Sequence, residues 1–169
     1  MKISGSVIAH KLLSDNVEID DNVSCELPSI EFGTTEVKGA GILGTVDMPS
    51  PTQINAMSFK ISSRSVNKKT AALAKTGKQN LELRFVRDVV QSDGTVIPAS
   101  TKIFITGVVK KYEPGKVEQG STMDGSLEFE VLRYRQVIEG EETLLIDKFN
   151  YQYVVNGVDY MAAIRAILG

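Results

Sequence analysis

The residue types that do acid, base, nucleophile or metal chemistry are few and scattered in this chain. His10 is the only histidine and Cys25 the only cysteine among 169 residues, so neither a Cys/His metal site nor a histidine-based triad can be assembled. His10 lies in an N-terminal stretch without clean periodicity and reads as incidental. Cys25 sits in the apolar run Val23-Cys25-Leu27 and reads as a small buried side chain. Carboxylates pair at Asp20-Asp21 and Glu141-Glu142, but both pairs fall in expected hairpin turns, where charge serves solubility, and no EF-hand spacing occurs. Gly39, Gly41 and Gly44 do not follow a strand and open a helix, which rules out a phosphate cradle. No catalytic residue, no metal site and no cofactor is expected, and the chain does not read as an enzyme.

Composition narrows the class further. Lys and Arg total 19 against 21 Asp and Glu, a net charge of -2, so no overall basic excess argues for nucleic-acid binding. No apolar stretch approaches a membrane span, the N-terminus lacks a long apolar block, and stable membrane association is not expected. The length suits one domain, burying of order 70% of its unfolded surface. With 14 glycines and no tryptophan, the chain suits a sheet protein with many turns.

The elements that position everything else are strands. From Leu127 to Val131 apolar residues alternate with Glu128 and Glu130. The phase then changes: Leu132, Tyr134 and Ile138 take the opposite parity, which predicts a bulge or bend near Val131. Alternation resumes through Phe149, Tyr151, Tyr153 and Val155, and the two runs are expected to pair as a long hairpin around Glu139-Gly140-Glu141-Glu142. Asn156-Gly157 breaks the strand, Asp159 is the expected helix cap, and Met161, Ile164 and Leu168 share one helical face.

Upstream, residues 1–16 read as an extended arm with a turn of helix around Ala9 to Leu13. Val17 to Leu27 reads as a short hairpin ended by Pro28, and Ile30 and Phe32 lead a further strand over 29–38. From Gly39 to Gln53 three glycines and two prolines argue against a regular element, yet Ile42, Leu43, Val46 and Met48 are too apolar to be left in water. That loop is expected to lack order until something covers it. Strands follow over 53–62, from Leu81 to Val90 and over 101–111, with Asp93-Gly94 as a hairpin turn and a helix over 66–75 stopped by Gly77.

Three features resemble the major tail tube proteins of contractile-tailed phages. They are the C-terminal order of acidic turn, Ile146-Asp147-Lys148-Phe149-Asn150, Asn156-Gly157-Val158-Asp159 and a short helix ending in Leu168-Gly169; the Gly39-Ala40-Gly41 and Gly44 loop; and the Gly-rich connection ending in Met123-Asp124. The resemblance runs from about Val17 to the C-terminus, with Asn156 to Asp159 its most specific part. Pattern and resemblance together give a mainly β fold in one domain over 1–169. It has two packed antiparallel sheets, sandwich or barrel-like, one helix between strands and a short C-terminal helix.

The resemblance implies a structural role. Hexameric rings of the chain stack into a tube, with the tail sheath outside, the tape measure protein inside, and the baseplate and tail terminator at the ends. It also implies a place in a virion tail assembled in the host cytoplasm. The loop over 33–53, with Gly39, Gly41, Ile42, Leu43, Gly44, Val46 and Met48, is then the inter-subunit contact. Leu127, Phe129, Val131, Phe149, Tyr151 and Tyr153 are expected on ring-closing strands, because long unprotected edges call for a partner. In a phage the lumen passes DNA, whereas in a headless R-type bacteriocin the same tube passes none. A monomeric β-sandwich that binds a ligand through the loop over 39–52 ranks below both, since Tyr151 and Tyr153 sit in a strand and tryptophan is absent.

Overall fold

A computed structural model describes all residues, Met1–Gly169. The first half of the chain contributes β1 (Ile3–Ser14), β2 (Val17–Glu18), β3 (Asn22–Glu26), β4 (Phe32–Lys38), β5 (Thr45–Ile54) and β6 (Ser58–Ser63). Next come α1 (Lys68–Ala72), β7 (Lys78–Val90), β8 (Val96–Glu113) and β9 (Gly125–Ile138). The end of the chain holds β10 (Glu141–Asp147), β11 (Gln152–Val155), β12 (Val158–Asp159) and α2 (Ala162–Leu168). All pairings are antiparallel, and the strands form two unequal sheets: a ten-stranded one and the β4–β5 hairpin.

β9 is the hub of the large sheet. It pairs with β8 along nearly its whole length, with β6 through its first half and with β10 through its second. The change of phase at Val131 has its expected cause. Thr106 faces Arg133 and Gly107 faces Val131, so Leu132 is the extra residue of a bulge. The bulge lets Leu127, Phe129 and Val131 before it, and Tyr134 after it, all point into one core. On β8, Lys110 is skipped between Val109 and Lys111 in the same way, and Tyr112 thereby joins Ile103 and Ile105 in packing on that core.

The core lies inside the curl of the sheet, where Phe59 and Ile61 of β6, Leu81 and Leu83 of β7 and the β8 and β9 residues meet. Phe59 and Phe129 are paired strand residues, fully buried with ring centroids 6.5 Å apart. The outward face carries charges paired across or along strands: Arg84 with Glu82 at 2.7 Å, Lys110 with Glu130 at 3.0 Å and Arg135 with Glu142 at 2.9 Å.

Several expectations from the pattern are corrected. Residues 3–14 are no arm but β1, paired with β7; two register shifts, at Ser4/Val7 and Val7/Ala9, break the alternation that would have revealed it. Val17 to Leu27 is not a hairpin, because β2 pairs with β1 while β3 crosses to β6. The segment after Gly44 is β5, despite Pro49 and Pro51. A two-stranded sheet has only edge strands, so a missing N–H can face outward.

The helix expected over 66–75 shortens to α1, capped by Asn67, whose side chain accepts from Thr70 N–H. The two runs expected to form one long hairpin do not pair with each other: β9 turns into β10 at Glu139-Gly140, and the later run, strand only over Gln152–Val155, pairs with β10 instead. Ile146, fully buried on β10, sits between the two expected partners.

Gly107 is a tight point of this arrangement, since a Cβ there would lie 2.7 Å from the Glu130 carbonyl oxygen beside the bulge. Gly107→Ala is expected to cost about 1–3 kcal/mol as an overpacked site. It should lower the urea midpoint with the m-value unchanged; an unaltered midpoint would show that β8 and β9 separate there without cost.

Candidate functional site

The hairpin of β4 and β5 is the part of the chain least committed to its own fold. Its register sets Val37 opposite Val46 and Thr35 opposite Met48 on one face, with Glu36 opposite Asp47 on the other. The turn between them uses Gly39, Gly41 and Gly44 at φ 147°, 89° and 85°, a backbone region other residues enter at a cost. At the tip Ile42 N–H donates to the Gly39 carbonyl at 3.2 Å, and Leu43 is fully exposed. Val37, Ile42, Val46 and Met48 are exposed as well. The expected loop residues therefore come together as one projecting apolar finger.

The root of the finger is fixed. The Phe32 ring meets Tyr153 edge-on at 5.6 Å, and Tyr153 meets Tyr160 at 6.3 Å. Asn55 N–H donates to the Glu31 carbonyl at 2.7 Å, and Lys148 Nζ donates to the Asn55 carbonyl at 2.9 Å. Tyr153, expected on a ring-closing strand, is thus half-buried in the clamp.

The other expected ring-closing residues divide. Leu127, Phe129 and Val131 are 0–1% exposed, and β9 has strand partners on both edges, so this strand has no free edge to offer a neighbour. Phe149 and Tyr151 are exposed where β10 passes to β11. Val158, Tyr160, Ile167 and Leu168 toward the C-terminus are exposed as well, which sequence reasoning missed. Helical periodicity sets Leu168 on one face with Met161 and Ile164, yet Leu168 is exposed while Met161 is buried.

Asn156 and Gly157 form the two-residue turn between β11 and β12. Asp159 does not cap α2 directly, because the N-cap position is Met161. It accepts from the Met161 N–H at 3.0 Å and from Nη1 and Nη2 of Arg165, whose Nη1 also donates to the Tyr151 carbonyl at 2.7 Å. One ion pair thus holds the helix to the strand before it. Cys25 is half-buried, and burial pushes its thiol up to about 11 against the opposing hydrogen bond from Asn22, as suits packing and not reactivity.

The profile of the phage tail tube protein FII family matches residues 7–169. The chain belongs to that family. It is a structural tail tube protein, part of a tail, and not an enzyme. The match includes most of β1, so all but the first six residues lie within the family's span.

Two solved structures share the fold. One is the sheath/tube terminator of an extracellular contractile injection system, PVC, in the extended state, at 11% identity and TM-score 0.55, covering 78% of this chain and 94% of that one. The other comes from the PVC sheath–tube complex in the extended state, at 12% identity and TM-score 0.56, covering 79% and 91%. No curated protein sequence matches the chain.

The Asp159 carboxyl is held below the usual carboxylate range, chiefly by the Arg165 side-chain hydrogen bond and then by the Met161 N–H. A lowered carboxylate pKa contributes stability above its ordinary value, about 3.9, and that contribution is lost as pH falls through the lowered value. Backbone chemical shifts of Ile164 to Leu168 should therefore stay constant from neutral pH to about pH 4 and move toward random coil below it. Asp159→Asn should show the shifted signals already at neutral pH, and an identical acid response in that variant would remove the role of this pair.

Proposed function

We propose that this tail tube subunit builds the rigid inner tube of a contractile tail as hexameric rings stacked through the β4–β5 finger. The observation that carries this reading is the finger itself: a fixed root, an ordered turn and an apolar tip that its own fold leaves uncovered. An apolar projection of this kind is a liability for a monomer and an anchor in an assembly. The residues assigned to the contact are Gly39, Gly41, Ile42, Leu43, Gly44, Val46 and Met48.

Ring closure falls to a second set of exposed apolar residues, Phe149, Tyr151, Tyr160, Ile167 and Leu168. Leu127, Phe129 and Val131 act only from within the core. Because donor and acceptor surfaces differ, the contacts are head-to-tail, which closes rings and leaves a stack open at both ends.

The sheath encloses this tube, a tape measure protein occupies it during assembly in the host cytoplasm, and the baseplate and terminator bound it. The fold shared with a sheath–tube complex and a sheath/tube terminator supports these neighbours. On contraction the tube is driven through the target envelope. In a phage its lumen conducts DNA, and the pairing of charges on the outward sheet face suits a wall past which a polymer slides without being held. A headless bacteriocin tube would share every one of these contacts, and capsid and terminase genes beside this one would mark the phage.

Electron microscopy with sedimentation at rising protein concentration should show rings or tubes of uniform width. Leu43→Asp should abolish them while changing unfolding stability by no more than about 0.5 kcal/mol, since Leu43 makes no contact worth keeping within the subunit. Normal tubes from this variant would remove the finger from the assembly mechanism.

A further inference from the structure

The six strands β3-β6-β9-β8-β7-β1 curl toward closure but leave one seam unsealed. β1 pairs on one side with β7, and on the other only Leu13 and Ser14 are taken up by β2. β3 pairs only with β6. At one end the two strands are tied by His10 Nε2 donating to Asn22 Oδ1 at 3.0 Å, and just beyond it Ile19 N–H donates to the Leu12 carbonyl at 2.9 Å. No backbone hydrogen bond joins β1 to β3. Between them lies a trough of about 350 Å³ lined by Val7, Val23, Cys25, Leu27, Leu83 and Phe85. Val7 and Val23 are each about half exposed.

The trough is the wrong site for a small polar ligand. His10 is already committed to Asn22, and Ser24 is the only other polar residue in the lining, so no set of polar groups converges to orient a molecule. Its rims are instead unpaired strand edges, which take extended polypeptide. The chain itself offers one such segment with apolar side chains and free edges, the β4–β5 finger.

Charge points the same way. Arg87 follows Phe85 on the trough-facing side of β7, and its Nε is buried without a hydrogen-bond partner. The finger sets Glu36 directly opposite Asp47, a like-charge pair that is unfavourable alone and relieved only by Lys38, 3.8 Å from Glu36. A guanidinium whose buried Nε has no hydrogen-bond partner and a carboxylate pair that shares a single lysine complement one another.

We propose that the β1–β3 trough is the socket for the finger of a second copy, with Ile42 and Leu43 filling it and Arg87 compensating Glu36 and Asp47. The proposal rests on the tube reading and gives it an acceptor surface. Finger and socket lie on different parts of one chain, so each copy both gives and receives.

Full-length Leu43→Cys and Leu27→Cys variants, each with Cys25→Ser, are purified separately, mixed, allowed to assemble and treated with a short bismaleimide. A covalent dimer should appear in the mixture and not with Val117→Cys in place of Leu27→Cys. Tubes that form without this cross-link overturn the socket and leave the tube reading intact. A chain carrying both cysteines that cross-links only to itself overturns the second copy as occupant. Absence of any ring or tube, in the variants and in the unaltered chain alike, removes the tube reading and the socket with it.

Val23→Asp is an independent check, because Val23 is exposed in the subunit and its loss should leave the far-ultraviolet circular dichroism unchanged. It is expected to raise the protein concentration needed for assembly at least about tenfold; assembly at the unaltered concentration would overturn the proposal.

Discussion

The structure depends on β9 being filled on every side. Its two edges are taken by β8 and then by β6 and β10, and its inward side chains are among the most deeply buried in the molecule. A strand with three partners must bend where one partner gives way to the next, and the bulge at Leu132 supplies the bend. The same extra residue reverses which parity faces inward, so one strand feeds a single core on both sides of its kink. Gly107 across the ladder leaves room for the kink because a side chain there would meet the Glu130 carbonyl.

Everything available for assembly lies away from that hub. The finger is held only at its root by the Phe32, Tyr153 and Tyr160 rings, so it is aimed without being covered. The Arg165–Asp159 pair and its reach to the Tyr151 carbonyl fix α2 against β12 and the turn before β11 in the same way, leaving Ile167 and Leu168 outward. A tube wall asks for this division: a core that does not yield when the structure is pushed, and surfaces set at fixed angles around it. Stability sits in the curled sheet, and the proposed assembly contacts in what that sheet presents.

Much of this was legible in the chain. The alternation around Leu127, the shift of phase at Val131, the Asp93-Gly94 turn and the Asn156-Gly157 break are local signals, and each corresponds to a feature of the fold, whereas Phe149 and Tyr151 lie in a turn before β11. The rest is hidden in the chain for definable reasons. β1 was hidden by two register shifts that scrambled its period. β5 was hidden by prolines that a free edge tolerates. Partners were misassigned where the chain returns through an intermediate strand, as β10 does between β9 and β11, because periodicity says which face is buried and nothing about which strand lies alongside.

The sequence by itself determined the class of the protein. One histidine and one cysteine leave no Cys/His metal site and no histidine-based triad to assemble, and the period-two pattern with turn residues specifies sheet. It also marked the apolar finger as material in need of a cover. Only the tertiary structure decided which strands have spare edges: β9 has none and β1 and β3 have them. An edge is a property of a strand's neighbours, fixed by non-local pairing, and no window of residues along the chain contains it.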